Sequence, residues 1–114
     1  MPVHWCGNAG DLEDIISIAK SHNIPVIEDS AQAPASLYKG KYLGTHGDIG
    51  VFSFNEPKNL MTGEGGIIVT DNKNYAVKSR LIRNHGEAIV NEDNSLEDLI
   101  NVVGFNFRLT ELQA

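Results

Sequence analysis

A lysine, an aspartate and a few small or hydroxyl-bearing residues carry the chemistry this sequence can offer. Lys58 stands in Phe52-Ser53-Phe54-Asn55-Glu56-Pro57-Lys58-Asn59-Leu60, just ahead of Gly63-Glu64-Gly65-Gly66, with Glu28-Asp29-Ser30-Ala31-Gln32-Ala33 upstream. An amine on a loop that follows a buried strand can reach a pocket at the strand ends and condense with an aldehyde to a Schiff base. A carboxylate facing a heterocycle keeps the ring nitrogen protonated, because an opposite charge at hydrogen-bonding distance favours the charged form. Asp29 suits that part, since strand alternation would send Glu28, its neighbour, to the opposite face. Amine, acid and small neighbours together are what pyridoxal phosphate asks of a protein.

Each of these residues also has an ordinary use. A loop lysine is most often solvated, and an aspartate after a strand is commonly a cap or turn residue. Gln32 suits a turn, and the Ser53 hydroxyl, between two phenylalanines, suits a backbone group. Gly63-Glu64-Gly65-Gly66 matches neither GxxxxGK(S/T) nor GxGxxG. Its glycines read as sharp turns and a close approach to the lysine loop, without phosphate binding. His4, His22, His46 and His85 are scattered and fit no zinc spacing.

The order of these segments resembles the DegT/DnrJ family of sugar aminotransferases, fold-type I enzymes that use pyridoxal phosphate to aminate keto-sugars carried on nucleotides. The resemblance runs through most of the chain and implies a role for each residue. Lys58 would hold the cofactor as a Schiff base and then serve as general base and acid, and Asp29 would hold the ring nitrogen. Gln32 would lie near the ring and its phenolic oxygen, and the Ser53 hydroxyl would bind the phosphate. Asn106, in Gly104-Phe105-Asn106-Phe107-Arg108-Leu109, matches the family's G-x-N-x-R segment, which reaches the cofactor phosphate of a neighbouring subunit and implies a homodimer. An ordinary loop residue is the alternative for Asn106. Arg83 and His85-Gly86 echo a further family segment, with no role assigned.

The resemblance also implies the substrates, a nucleotide-linked keto-sugar and an amino-acid donor, glutamate. Dehydratase relatives use the same cofactor but carry a histidine where Lys58 stands. A third reading is an inactive or truncated fragment that keeps the marks of the fold. A nucleotide-binding module would need a glycine-rich loop of matching pattern.

The elements that must position these residues read as α/β. Pro2 to Trp5 suggests a short strand, and Asn8-Ala9-Gly10-Asp11 supplies turn and cap residues for a helix over 11–22 with Leu12, Ile15, Ile16 and Ala19 on one face. Ile24-Pro25-Val26-Ile27 is a continuous apolar run, expected as a strand buried on both faces of a mostly parallel sheet. Strand, helix and strand in this order make a right-handed βαβ unit. Ligands of such sheets sit beyond the carboxyl ends of the strands, where Glu28-Asp29 falls. Tyr38 to Tyr42 reads as a hairpin turning at Lys39-Gly40. Strands are expected over Ile49–Phe54 and Gly66–Thr70, with an irregular loop from Pro57 to Gly65 between them. An amphipathic helix is expected over Asn72–Asn84. A mobile loop over Glu87–Ser95, a short helix over Leu96–Val102 and the opening turns of a helix over Phe107–Ala114 complete the chain.

At 114 residues and 41% apolar content the chain holds one modest core. The family's phosphate-gripping segment and ring-stacking residue would lie upstream, and its small domain downstream. Residues 1–114 are therefore expected to be the central part of a pyridoxal phosphate-binding large domain. Fifteen acidic against nine basic residues give a net charge of −6, with no basic run to favour nucleic acid. The single Cys6 can form no internal disulfide, in keeping with a cytoplasmic setting. No signal peptide or membrane-spanning run is legible.

Overall fold

A computed structural model describes residues 1–86 and 102–114. The loop expected over Glu87–Ser95 and the helix over Leu96–Val102 lie outside the described residues, apart from Val102. A short 3-10 turn (Trp5–Gly7) leads into α1 (Leu12–Ser21), β1 (Ile27–Asp29), β2 (Leu37–Tyr38), β3 (Lys41–Tyr42), β4 (Ile49–Ser53), β5 (Gly66–Val69) and α2 (Lys73–Arg83). Three strands form one sheet in the order β1-β4-β5, and β2 and β3 pair separately. β1 runs parallel to β4, with Ile27 beside Ile49 and Asp29 beside Val51, whereas β5 runs antiparallel to β4. The fold is thus α/β with a mixed sheet. Its parallel part is extended by a bridge from Val3 to Asp29, all that forms of the strand expected over Pro2–Trp5.

α1 begins after Asp11 as expected, but the Asp11 side chain makes no capping hydrogen bond; Glu13 and Asp14 in its first turn and Lys20 in its last complement the helix dipole instead. Leu12 and Ile16, one turn apart, pack with Ala33, Leu43 and Tyr38 in the core cluster, while Ile15 and Ile18 stay exposed. Asn72 caps α2, its side-chain oxygen accepting from the N–H groups of Asn74 and Tyr75. At the other end, the N–H of Gly86 reaches the Leu81 carbonyl at 2.8 Å, with His85 and Gly86 both at positive φ. That stops the helix in the left-handed manner and gives the Arg83–Gly86 segment a structural task. The helix expected over Phe107–Ala114 forms only a single turn, in which the Ala114 N–H reaches the Thr110 carbonyl.

The second strand differs from expectation in place and in burial. It occupies Ile27–Asp29 and not Ile24–Ile27. Pro25 has no N–H to give a ladder, the Ile24 N–H returns to the Ala19 carbonyl, and the Val26 N–H donates to the Asp48 carboxylate at 2.7 Å. Regular pairing therefore begins three residues later. Val26 and Glu28 are buried, but Ile24 and Ile27 are 59% and 38% exposed, so one face alone is covered by the described residues. β4 and β5 each end one residue short of their expected limits. No helix of the described residues is long and apolar enough to cross a membrane.

The hairpin turns at Lys39-Gly40 as expected, with φ of 49° and 80°, the two positive values of a type I′ turn. Two residues after β3, Gly44 lies against the sheet at φ +85°. A methyl group there would sit 2.5 Å from the Phe52 ring and 2.7 Å from the Ser30 hydroxyl. Gly44→Ala in a protein carrying this chain should cost roughly 2–4 kcal/mol, from left-handed strain and overpacking together. A denaturant melt with an unchanged midpoint would show that this approach is not needed.

Candidate active site

Parallel pairing brings two carboxyl ends to one edge of the sheet. Asp29 closes β1 and Ser53 closes β4, two residues beyond the partner of Asp29. The loop carrying Lys58 leaves from this same edge, because it follows β4 directly. It is folded back tightly. The Lys58 N–H donates to the Asn55 carbonyl at 3.0 Å, the Thr62 N–H to the Phe54 carbonyl and the Phe54 N–H to the Gly65 carbonyl. Asn55 Nδ2 donates to Glu64 Oε1 at 2.9 Å. Gly63 and Gly65 turn at φ of 83° and 138°, so this run closes the loop.

Each candidate keeps a polar group in reserve. Asp29 Oδ1 accepts from the Ala31 N–H at 3.0 Å, and its other oxygen has no partner among the described residues. Lys58 is half-buried, and no hydrogen bond or ion pair to its amine occurs among the described residues. Gln32 Oε1 accepts from the Cys6 N–H at 3.2 Å, which fixes the side-chain amide orientation and leaves its NH2 group to donate. Ser53 Oγ accepts from the Asn55 N–H at 3.2 Å, leaving its own proton to give. A free carboxylate oxygen, an amine, an amide donor and a hydroxyl donor fit the ring nitrogen, aldehyde, phenolic oxygen and phosphate of pyridoxal phosphate. The cavity at this edge, about 230 Å³, is bounded by Ala31, Pro34, Ser53, Phe54 and Leu60 among others. Neither Asp29 nor Lys58 lines it, and it is smaller than the ~300 Å³ at which small-molecule sites usually begin.

Asn106 stands apart from these four. It bridges Asn84 at the end of α2, is exposed, and its Oδ1 accepts from Arg108 Nε at 3.1 Å. None of its hydrogen bonds leads to Asp29, Gln32, Ser53 or Lys58. A larger groove of about 920 Å³, lined by Val51, Ile68, Arg80, Arg83 and Arg108 among others, includes none of the five candidates.

Sequence reasoning missed a buried pair behind the edge. Glu28 is fully buried, and its carboxylate accepts from His4 Nε2 at 2.8 Å, the Gly44 N–H at 2.8 Å and the Gly47 N–H at 2.5 Å. Burial, the largest single influence, pushes the Glu28 carboxyl up, but the Gly47, Gly44, His4 and His46 hydrogen bonds together hold it below its ordinary value. An ionised carboxylate only accepts, so the proton of this contact sits on His4 Nε2. Strand alternation had already turned Glu28 away from Asp29. What no spacing rule supplies is which of four histidines meets it from 24 residues away.

The fold is that of the fold-type I pyridoxal phosphate aminotransferases. The aminotransferase from Psychrobacter cryohalolentis superposes with a TM-score of 0.84 at 35% identity, over 97% of this chain and 30% of that one. The sequence profile of the DegT/DnrJ/EryC1/StrS aminotransferase family matches residues 1–114, and the chain belongs to that family of sugar transaminases. The GDP-perosamine synthases of Caulobacter vibrioides and Escherichia coli O157:H7 are 42% and 43% identical over the whole chain, which covers 29% and 30% of their own lengths.

Because the folded-state pKa of Glu28 lies below the ordinary 4.5, the unfolded chain binds more protons as the medium is acidified. The stability Glu28 contributes is complete above the unfolded value and is lost as pH falls through the folded one. Glu28→Gln should cost roughly 2–4 kcal/mol at neutral pH and flatten the acid limb of a stability–pH curve below about pH 5. An acid limb of undiminished slope would count against the anchoring role.

Proposed function

We propose that this chain is the central part of the large domain of a cytoplasmic, homodimeric aminotransferase. That enzyme would move an amino group from glutamate to a nucleotide-linked keto-sugar with pyridoxal phosphate as cofactor. The observation that carries the reading is the shared edge, where Asp29 and Ser53 end adjacent parallel strands in register and the Lys58 loop departs. The substrate class is supported by identity above 40% to GDP-perosamine synthases over the full chain. A pathway that builds polysaccharide sugars fits the same substrate class.

When bound, pyridoxal phosphate supplies an aldehyde for exchanging amino groups and a ring that draws off electron density. Lys58 Nζ would be the amine that holds the aldehyde and would move a proton on and off the substrate carbon. Asp29 keeps the ring nitrogen protonated. Gln32, its oxygen held by Cys6, donates its NH2 group toward the phenolic oxygen, and Ser53 donates to the phosphate. Asn106, on a separate stretch, serves the site of the neighbouring subunit. The small cavity accords with a site that residues beyond this chain complete. Lys58 is the residue that sets the transaminase reading above the dehydratase one.

In the full-length enzyme, pyridoxal phosphate should raise a visible absorbance band that borohydride fixes covalently on Lys58. Lys58→Ala should abolish both and lower transamination by roughly 10²–10⁴-fold. Asp29→Asn should keep the covalent link and lower kcat by roughly 10²-fold. Full transamination by Lys58→Ala would refute the assignment.

A further inference from the structure

Asp29 sits on a three-residue strand, and what holds so short a strand in place is the segment that precedes α1. The His4 N–H donates to the Asp29 carbonyl and the Asp29 N–H to the Pro2 carbonyl, both at 2.9 Å. Both main-chain groups of Asp29 are therefore tied to one strap, residues 2–6. The strap itself is pinned by the His4 ring, fully buried, whose Nε2 grips Glu28 on the far face of β1. Two residues on, Cys6 takes φ +53°, a left-handed conformation rare for a residue with a side chain. That turn aims the Cys6 N–H at Gln32 Oε1. Among the described residues His4 Nδ1 has no partner, so the imidazole is held by the single contact with Glu28.

We infer that His4 and Glu28 are positioning residues, a buried clasp that closes the 2–6 strap over β1 and thereby sets where the Asp29 carboxylate and the Gln32 amide stand. The inference rests on the cofactor reading of Asp29 and Gln32 given above. Neither clasp residue touches the site: Glu28 faces away from Asp29, and His4 reaches the site edge through its main chain alone. The clasp acts by limiting freedom. A carboxylate that drifts from the ring nitrogen loses its hold on the ring proton, because the interaction depends on hydrogen-bonding contact. An acid or amide held by a supporting shell meets its ligand without the cost of ordering.

The experiment uses the full-length enzyme with pyridoxal phosphate itself as probe, reading cofactor affinity and the position of the visible band, which reports charge at the ring. His4→Phe keeps the buried ring volume and removes the donor. It should weaken cofactor binding roughly tenfold, the worth of one hydrogen bond to a charged group, and move the band. His4→Gln restores a donor to Glu28 and should bring both back to within about threefold. Leu81→Ala, a truncation in the buried face of α2, lowers the melting temperature and should leave affinity and band unchanged. If His4→Phe merely melts earlier, as Leu81→Ala does, with affinity and band intact, the clasp only stabilises and the inference falls.

A second measurement needs no variant. By linkage, cofactor binding should slow hydrogen exchange at the His4 and Asp29 amides, and exchange unchanged by the cofactor would overturn the inference. Loss of the band in Lys58→Ala, measured alongside, tests the cofactor reading separately. With that loss established, a negative result at His4 counts against the clasp alone.

Discussion

A carboxylate taken wholly out of water must be met by donors on every side, and in this chain that requirement falls on Glu28. Transfer of an unpaired carboxylate to the interior costs several kcal/mol or more, and here it is offset by an imidazole N–H and two backbone N–H groups. The donors come from His4, ahead of α1, and from Gly44 and Gly47, beyond the hairpin. One side chain thus gathers two separated stretches, residues before α1 and the segment after the hairpin, against β1. Gly44 must be a glycine for the loop to come so close, because Phe52 and Ser30 already fill the space a methyl group would take. The site edge is the outer side of this arrangement. With Glu28 turned inward, strand alternation turns Asp29 the other way, to the face where the Ser53 strand end and the Lys58 loop also arrive.

The same sheet is strongly one-sided. Among the described residues the buried apolar ones are Leu12, Val26, Ala33, Leu43 and Leu81, a small core for five strands and two helices. Ile67 and Ile68 point to opposite faces of β5 and both are about half exposed, so neither face of that strand is closed by the described residues. Apolar surface on this scale on both sides of a strand marks where further protein packs. A chain spanning about three-tenths of its relatives' length meets that expectation.

Much of this was legible beforehand because it depends on local chemistry. Lys39-Gly40 demands two positive φ angles and takes them; Asn72 caps α2 because its side chain reaches the first free N–H groups; and the apolar spacing of α1 follows one turn of helix. The misplaced strand has an equally definite cause. Ile24 to Ile27 carries the right residues for a buried strand, yet pairing depends on free N–H groups, and Pro25 has none while Val26 spends its own on Asp48. The full burial expected for the run fails because its second face lies against nothing among the described residues. Among the site residues, Asp29, Ser53 and Lys58 were readable as strand-end and loop positions. Asn106 was named only through its family resemblance and stands in a different part of the chain's contacts.

The sequence by itself determined the chemical inventory: one loop lysine between two recognisable segments, an Asp beside a Glu at a strand end, and the order of elements that delivers them. Those properties are local or periodic, set by side-chain type and by alternation along a strand. Only the tertiary structure decided that β1 and β4 run parallel and finish on the same edge, two residues apart in register, that Glu28 is buried against His4, and that Cys6 orients Gln32. Such contacts join residues more than twenty positions apart. Their partners are chosen by how the whole chain closes, which no window of neighbouring residues contains.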